Sequence, residues 1–242
     1  MLAPRAGERL LDIGCGCGQT ALELAALVGP TGSVVGVDIS VPMLAVAARR
    51  VRPATSGAVE LRQFDAQCDA FEPAMFDAAY SRFGVMFFSD PTAAFANIRS
   101  ALKPGGRIAF VCWRALADNP WMSIPLEAAR PLLPPLTAST ASDPAAPGPF
   151  AFADAGRVRT ILGDAGFESI VATPYDTLLG GGTVEQALDL ALRLGPLGAV
   201  LRENRDCVSS VAPAVAAALR NHVTDSGVRM KGAVWIVSAR NG

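Results

Sequence analysis

Through residue 114 the chain alternates short apolar runs with longer helix-like stretches. The runs near 9–13, 33–38, 58–64, 76–81 and 106–113 have the length of strands. The stretches 18–28, 41–52 and 90–102 between them read as helices, and 18–28 is rich in Ala and Leu, which favour helix. Strands alternating with helices predict a parallel sheet with helices on both faces, a doubly wound α/β fold. Lys103-Pro104-Gly105-Gly106 reads as a helix stop and a turn ahead of the fifth strand.

From Pro120 the character changes. Asn119-Pro120 is a start signal for a short helix from Trp121 to Leu133. Residues 131–150 are rich in Pro, Ala, Ser and Thr, a loop longer than most in a compact domain. A helix at 152–165 ending at Gly166 and a strand at 167–175 follow. Gly180-Gly181-Gly182 reads as a flexible joint. Helices near 184–194, 197–204 and 209–222 and a last strand at 232–239 complete the pattern. The expectation is one domain over 1–242 with seven strands, a loop and helix insertion at 115–150 and a helical insertion at 180–225.

Composition narrows the function. With Lys and Arg at 21 against Asp and Glu at 22, the net charge of −1 offers no basic face for nucleic acid. Arg49, Arg50 and Arg52 sit at a predicted helix end, where cations complement the dipole. The opening residues, with Pro4, Arg5, Glu8 and Arg9, do not read as a secretory signal, and no apolar run has the length of a membrane span. Five scattered cysteines, at 15, 17, 68, 112 and 207, argue against a disulfide framework and for a cytoplasmic protein. Cys15 and Cys17 are spaced too tightly for a usual metal pair, so no metal is expected.

The chemistry gathers at Leu10-Leu11-Asp12-Ile13-Gly14-Cys15-Gly16-Cys17-Gly18, with Asp38 at the end of the next strand. Glycines let the loop turn sharply and approach a ligand, and the acid can accept both hydroxyls of a ribose. The G-x-G-x-G spacing differs from the dinucleotide fingerprint G-x-G-x-x-G, and neither Tyr80 nor Tyr175 starts a Tyr-x-x-x-Lys pair. A nicotinamide-dependent oxidoreductase is therefore disfavoured. The spacing resembles motif I of the class I S-adenosylmethionine (SAM) dependent methyltransferases. Gln63-Phe64-Asp65-Ala66, Phe76-Asp77-Ala78-Ala79-Tyr80-Ser81 and Leu102-Lys103-Pro104-Gly105-Gly106 match further strings of that family, as does the order of elements at the end of the chain. Val37-Asp38-Ile39-Ser40 with Met43-Leu44 is similar to its small-molecule, ubiquinone-biosynthesis type.

The resemblance implies a Rossmann-like, mostly parallel sheet with an antiparallel C-terminal strand, and SAM as cofactor. It implies cofactor contacts at Asp12, Gly14, Cys15, Gly16, Gly18, Asp38, Ile39, Met43, Asp65, Ala66 and Ser81. Arg82, Phe83, Phe87 and Trp113 are the substrate-side candidates, with Phe88 and Trp121 as further apolar walls. Arg82 and His222 are candidates for a direct part in the reaction, although methyl transfer from a sulfonium needs positioning more than a nucleophilic side chain. The expected reaction is methylation of a small-molecule acceptor; a silent SAM-binding or assembly protein is the alternative. Members of the family usually carry some tens of residues ahead of the first strand, where here only Met1 to Glu8 stand. Two alternatives follow: the cover is missing from this chain, or the 115–150 insertion or a partner subunit replaces it.

Overall fold

The computed structural model describes residues 2–51, 58–134 and 146–242. Eight strands run as β1 (Arg9–Ile13), β2 (Ser33–Asp38), β3 (Ala58–Gln63), β4 (Phe76–Arg82), β5 (Leu102–Trp113), β6 (Glu168–Gly180), β7 (Val223–Thr224) and β8 (Gly227–Arg240). Eight α-helices join them: α1 (Gln19–Val28), α2 (Val41–Val51), α3 (Pro91–Ala101), α4 (Pro120–Ala129), α5 (Ala155–Asp164), α6 (Val184–Arg193), α7 (Gly195–Glu203) and α8 (Val208–Arg220). The sheet order is β3-β2-β1-β4-β5-β8-β6, with β7 paired to β8. The chain runs outward from β1 to β3 and then returns to β4 on the other side of β1. That reversal opens a crevice at the carboxyl end of β1.

Registry is parallel from β3 through β5, with Leu10 facing Val34 on one side and Ala78 on the other. Leu10, Leu11, Ile13, Val34, Val35 and Val37 are all buried, as continuous apolar strands covered on both faces require. Helix α1 buries Ala21, Leu24, Ala25 and Val28, one stripe of helical period, in a core shared with Leu10, Val34 and Ala109. Helix α3 starts where its sequence says: Asp90 accepts from Ala93 N at 3.0 Å, and Pro91 occupies the first turn.

The chain end reverses direction. Gly105 N donates to Asn241 O at 2.8 Å and Arg114 N to Ala233 O at 3.1 Å, so β8 lies antiparallel to β5, as the resemblance implied. The strand count is eight rather than seven. Thr224 Oγ1 donates to Gly227 O at 2.8 Å and accepts from Ser226 N, and Gly227 takes φ +92°. This turn ends the helical segment at Arg220 and makes the extra strand β7. Strand β5 begins at Leu102, not at 106. Its register jumps from Phe76↔Leu102 to Ala78↔Arg107, so Pro104 and Gly105 form a bulge inside the strand instead of a turn before it. The helix read over 121–133 stops at Ala129, followed by a 3-10 turn at Arg130–Leu132.

Contacts divide the chain into two compact units, where the sequence reads as one domain with two insertions. The first comprises the described parts of 1–112, 147–173 and 235–242; the second those of 113–146 and 174–234. The second is mainly helical and packs Ala129, Leu197, Leu201, Val211, Val215 and Leu219 against Val228 and Met230. Arg52, at the end of the predicted second helix, and residues 135–145 of the predicted loop lie outside the described residues.

Candidate functional site

The loops after β1, β2, β3 and β4 enclose a cavity of about 470 Å³ in the first unit. Gly14 stands at φ +66°, and a Cβ there would lie 2.9 Å from Gly84 Cα. The loops after β1 and β4 therefore cross backbone to backbone, which only glycine permits. Gly16 takes φ +54°, a left-handed conformation that favours glycine, and a Cβ there would meet only the flexible tip of Met43, at 2.8 Å.

Asp38 stands at the end of β2 with both oxygens held by backbone donors. Oδ2 accepts from Gly16 N at 2.8 Å and Oδ1 from Ser40 N at 2.8 Å. Each carboxylate oxygen keeps a second lone pair, so a pair of ligand hydroxyls can still donate to it. Asp65 caps the turn after β3: Oδ1 accepts from Gln67 N at 2.9 Å while its side chain lines the cavity. Gln67 Oε1 accepts from Ser89 N at 2.6 Å and Asp90 N at 3.0 Å, joining that turn to the loop after β4.

Of the cofactor-side candidates, Gly14, Gly16, Asp38, Ile39, Met43, Asp65 and Ala66 line this cavity, and Arg82, Phe83 and Phe87 do so on the substrate side. Ile39, Met43 and Phe87 leave 68%, 43% and 56% of their surface open, an apolar rim around a polar loop. Phe83 takes φ +66°, a strained conformation for a side chain of that size, with its N–H donating to Val111 O.

Several expected positions do not line this cavity. Ser81 is fully buried and lies behind the wall: its Oγ donates to Ile13 O at 2.8 Å and accepts from Gly84 N at 3.2 Å. It holds the crossing of Gly14 and Gly84 rather than facing a ligand. Cys15 is buried with its thiol pushed up to about 12, first by desolvation and then by Asp12 and Asp38. Gly18 caps α1 in a left-handed conformation and does not line the cavity. Trp113 and His222 belong to the second unit, where Trp113 packs on Trp121 at 5.2 Å between ring centroids and His222 N donates to Leu219 O.

Asp12 also lies behind the loop, 1% exposed, and among the described residues neither of its oxygens has a hydrogen-bond partner. Desolvation raises its pKa to about 7, against the pull of Arg82 and with a further push from Asp38 and Glu23. Sequence reading missed Gln67 and Gly84. Gly84 carried a signal, as a glycine just past a strand end; Gln67 carried none, because its partners lie more than twenty residues away.

The methyltransferase domain family matches residues 10–106. The chain is 37% identical over 108 residues to nocamycin O-methyltransferase of Saccharothrix syringae, covering 45% of this chain and 39% of that protein. It is 39% identical over 105 residues to the ubiquinone/menaquinone biosynthesis C-methyltransferase UbiE of Pseudomonas putida, covering 43% of this chain and 41% of the relative. The chain thus spans less than half the length of these curated relatives. A similar fold occurs in the Haemonchus contortus phosphoethanolamine N-methyltransferase 2, solved in complex with phosphomonomethylethanolamine and S-adenosylhomocysteine. The TM-score is 0.58 at 20% identity, over 98% of this chain and 49% of that one. Sheet order, the glycine loop with its strand-end acid and these matches place residues 10–106 in the class I SAM-dependent methyltransferase family.

Proposed function

We propose that this protein transfers a methyl group from SAM to a small-molecule acceptor in the cytoplasm. The observation that carries the reading is Asp38, locked by Gly16 N and Ser40 N at the edge of a cavity of about 470 Å³, a volume within the usual range for small-molecule sites. The residues fit the cofactor. The spare lone pairs of Asp38 suit the ribose diol. Asp65 and Ala66, on the same lining, suit the adenine edge, and Ile39 and Met43 supply apolar surface there. Gly14 and Gly16 leave backbone without side chains for the amino-acid tail.

SAM, when bound, supplies an electrophilic methyl group. What the chain adds is position. Ser81 and Gly84 pin the loop after β4 to the loop after β1, so the wall opposite Asp38 is rigid. Holding two reactants in line can contribute roughly 7–11 kcal/mol toward the barrier without any nucleophilic side chain. Phe83, Phe87 and Phe88 give that wall an apolar surface for the acceptor.

Isothermal titration of the full chain tests the reading. SAM and S-adenosylhomocysteine bind one per chain and NAD does not. Asp38→Ala weakens both by about ten- to a hundredfold, the loss of two charge-assisted hydrogen bonds. Binding of NAD in place of SAM, or of neither, overturns it.

A further inference from the structure

We infer that the acceptor carries a carboxylate on an apolar or aromatic body, and that Arg82 receives that carboxylate; the inference rests on the methyl-transfer reading above. The sheet order supplies the first argument. Asp38 and Asp65 stand at the ends of β2 and β3, on one side of the glycine loop that follows β1. Arg82 ends β4 and Phe83 through Phe88 follow it, on the other side. A nucleoside held by the acidic side leaves the β4 side for the second reactant.

Charge supplies the second. Among the described residues Asp38 and Asp65 are the only acids on the lining of the cavity, and both already accept from backbone amides. Arg82 is the only cation there among the described residues. Among the described residues its side chain forms no hydrogen bond and no ion pair, whereas the side chains of Arg62, Arg107 and Arg114 are all paired. A guanidinium presents a planar fork of donors that matches a carboxylate on two bonds. Phe83, Phe87 and Phe88 share that lining with Arg82, so the complementary ligand is amphipathic, with an anionic end and an apolar body.

Two other tasks compete for Arg82. Its charge favours the ionised form of Asp12, but no hydrogen bond joins the two, and Arg82 is exposed where Asp12 is buried. The amino-acid tail of SAM also ends in a carboxylate, the same chemistry from the donor. The experiment separates these. The full chain is saturated with S-adenosylhomocysteine and titrated with 1-naphthoate and with its neutral analogue 1-naphthamide.

The expected result is that naphthoate binds about tenfold tighter than naphthamide. Arg82→Gln abolishes the preference, Arg82→Lys keeps part of it, and S-adenosylhomocysteine affinity stays within about twofold in both variants. Three results overturn the inference: no saturable naphthoate binding, an equal affinity for acid and amide, or a preference that survives in Arg82→Gln. A tenfold loss of S-adenosylhomocysteine affinity in Arg82→Gln also overturns it, because Arg82 then serves the donor. Failure of the wild type to bind S-adenosylhomocysteine at all defeats the methyl-transfer reading first, before any naphthoate is added. The melting temperature of each variant is followed alongside; Arg82 is exposed, so folding is expected to be unaffected.

Discussion

Two buried polar residues, one in each unit, have opposite surroundings. Asn119, in the second unit, is fully buried and fully used. Its Nδ2 donates to Arg114 O, Ala115 O and Ala233 O at 3.0–3.3 Å, and its Oδ1 accepts from Ala233 N at 2.8 Å. Asp12, in the first unit, is as deeply buried, yet among the described residues no group donates to it. A saturated buried amide ties elements together and has nothing left to offer. An unsatisfied buried carboxylate is costly to the fold and persists where something other than stability is served. The same contrast holds at the surface of each unit's cavity. Asp38 keeps spare acceptor capacity beside the glycine loop. The cavity of about 360 Å³ in the second unit, between Trp121, Leu190 and Met230, carries no charged side chain among the described residues.

The widest test of this contrast is Asp12→Asn. The folded state holds the Asp12 proton up to about pH 7, while the unfolded chain releases it near 3.8. Wild-type stability therefore falls as pH rises between those values, and the loss is complete above the higher one. The expected gain of the variant over the wild type grows across that window, by up to about 4 kcal/mol from pH 4 to pH 8. Urea unfolding at a series of pH values measures it; parallel curves for the two proteins would place the carboxylate in contact with a donor or with water.

Asn119→Ala is expected to cost about 3 kcal/mol, because it strands Ala233 N and several carbonyls in a buried position. Its effect on S-adenosylhomocysteine affinity should be absent, and a loss there would break the division between a structural and a functional polar residue. Ser81→Ala is expected to cost about 1–2 kcal/mol by freeing Ile13 O and Gly84 N. Unlike Asn119→Ala, it should also weaken S-adenosylhomocysteine, by roughly three- to tenfold, as the crossing beside Gly14 loosens. Equal affinity in that variant would show that the crossing holds without its hydroxyl.

Most of the first unit was legible in the residues. The strands before β5, the helices α1 and α3, and the pairing of the glycine loop with Asp38 all follow from signals a few residues wide. Many of the expected positions line one cavity, since loops at neighbouring strand ends must meet. Ser81 was misplaced because strand alternation decides its face, and its partner Ile13 O is 68 residues away in sequence. Trp113 was misplaced because strand β5 carries it out of the first unit.

The sequence by itself determined the parallel core, the tight loop after β1 and the acid that faces it, because apolar runs, glycine spacing and helix caps act locally. Only the tertiary structure decided the bulge at Pro104, the hairpin of β7 with β8, the bond from Gln67 to the loop after β4, and the lack of a hydrogen-bond partner for Asp12 among the described residues. Each of those depends on backbone groups brought together from distant segments, and whether a buried group finds a donor is settled only when the elements around it have packed.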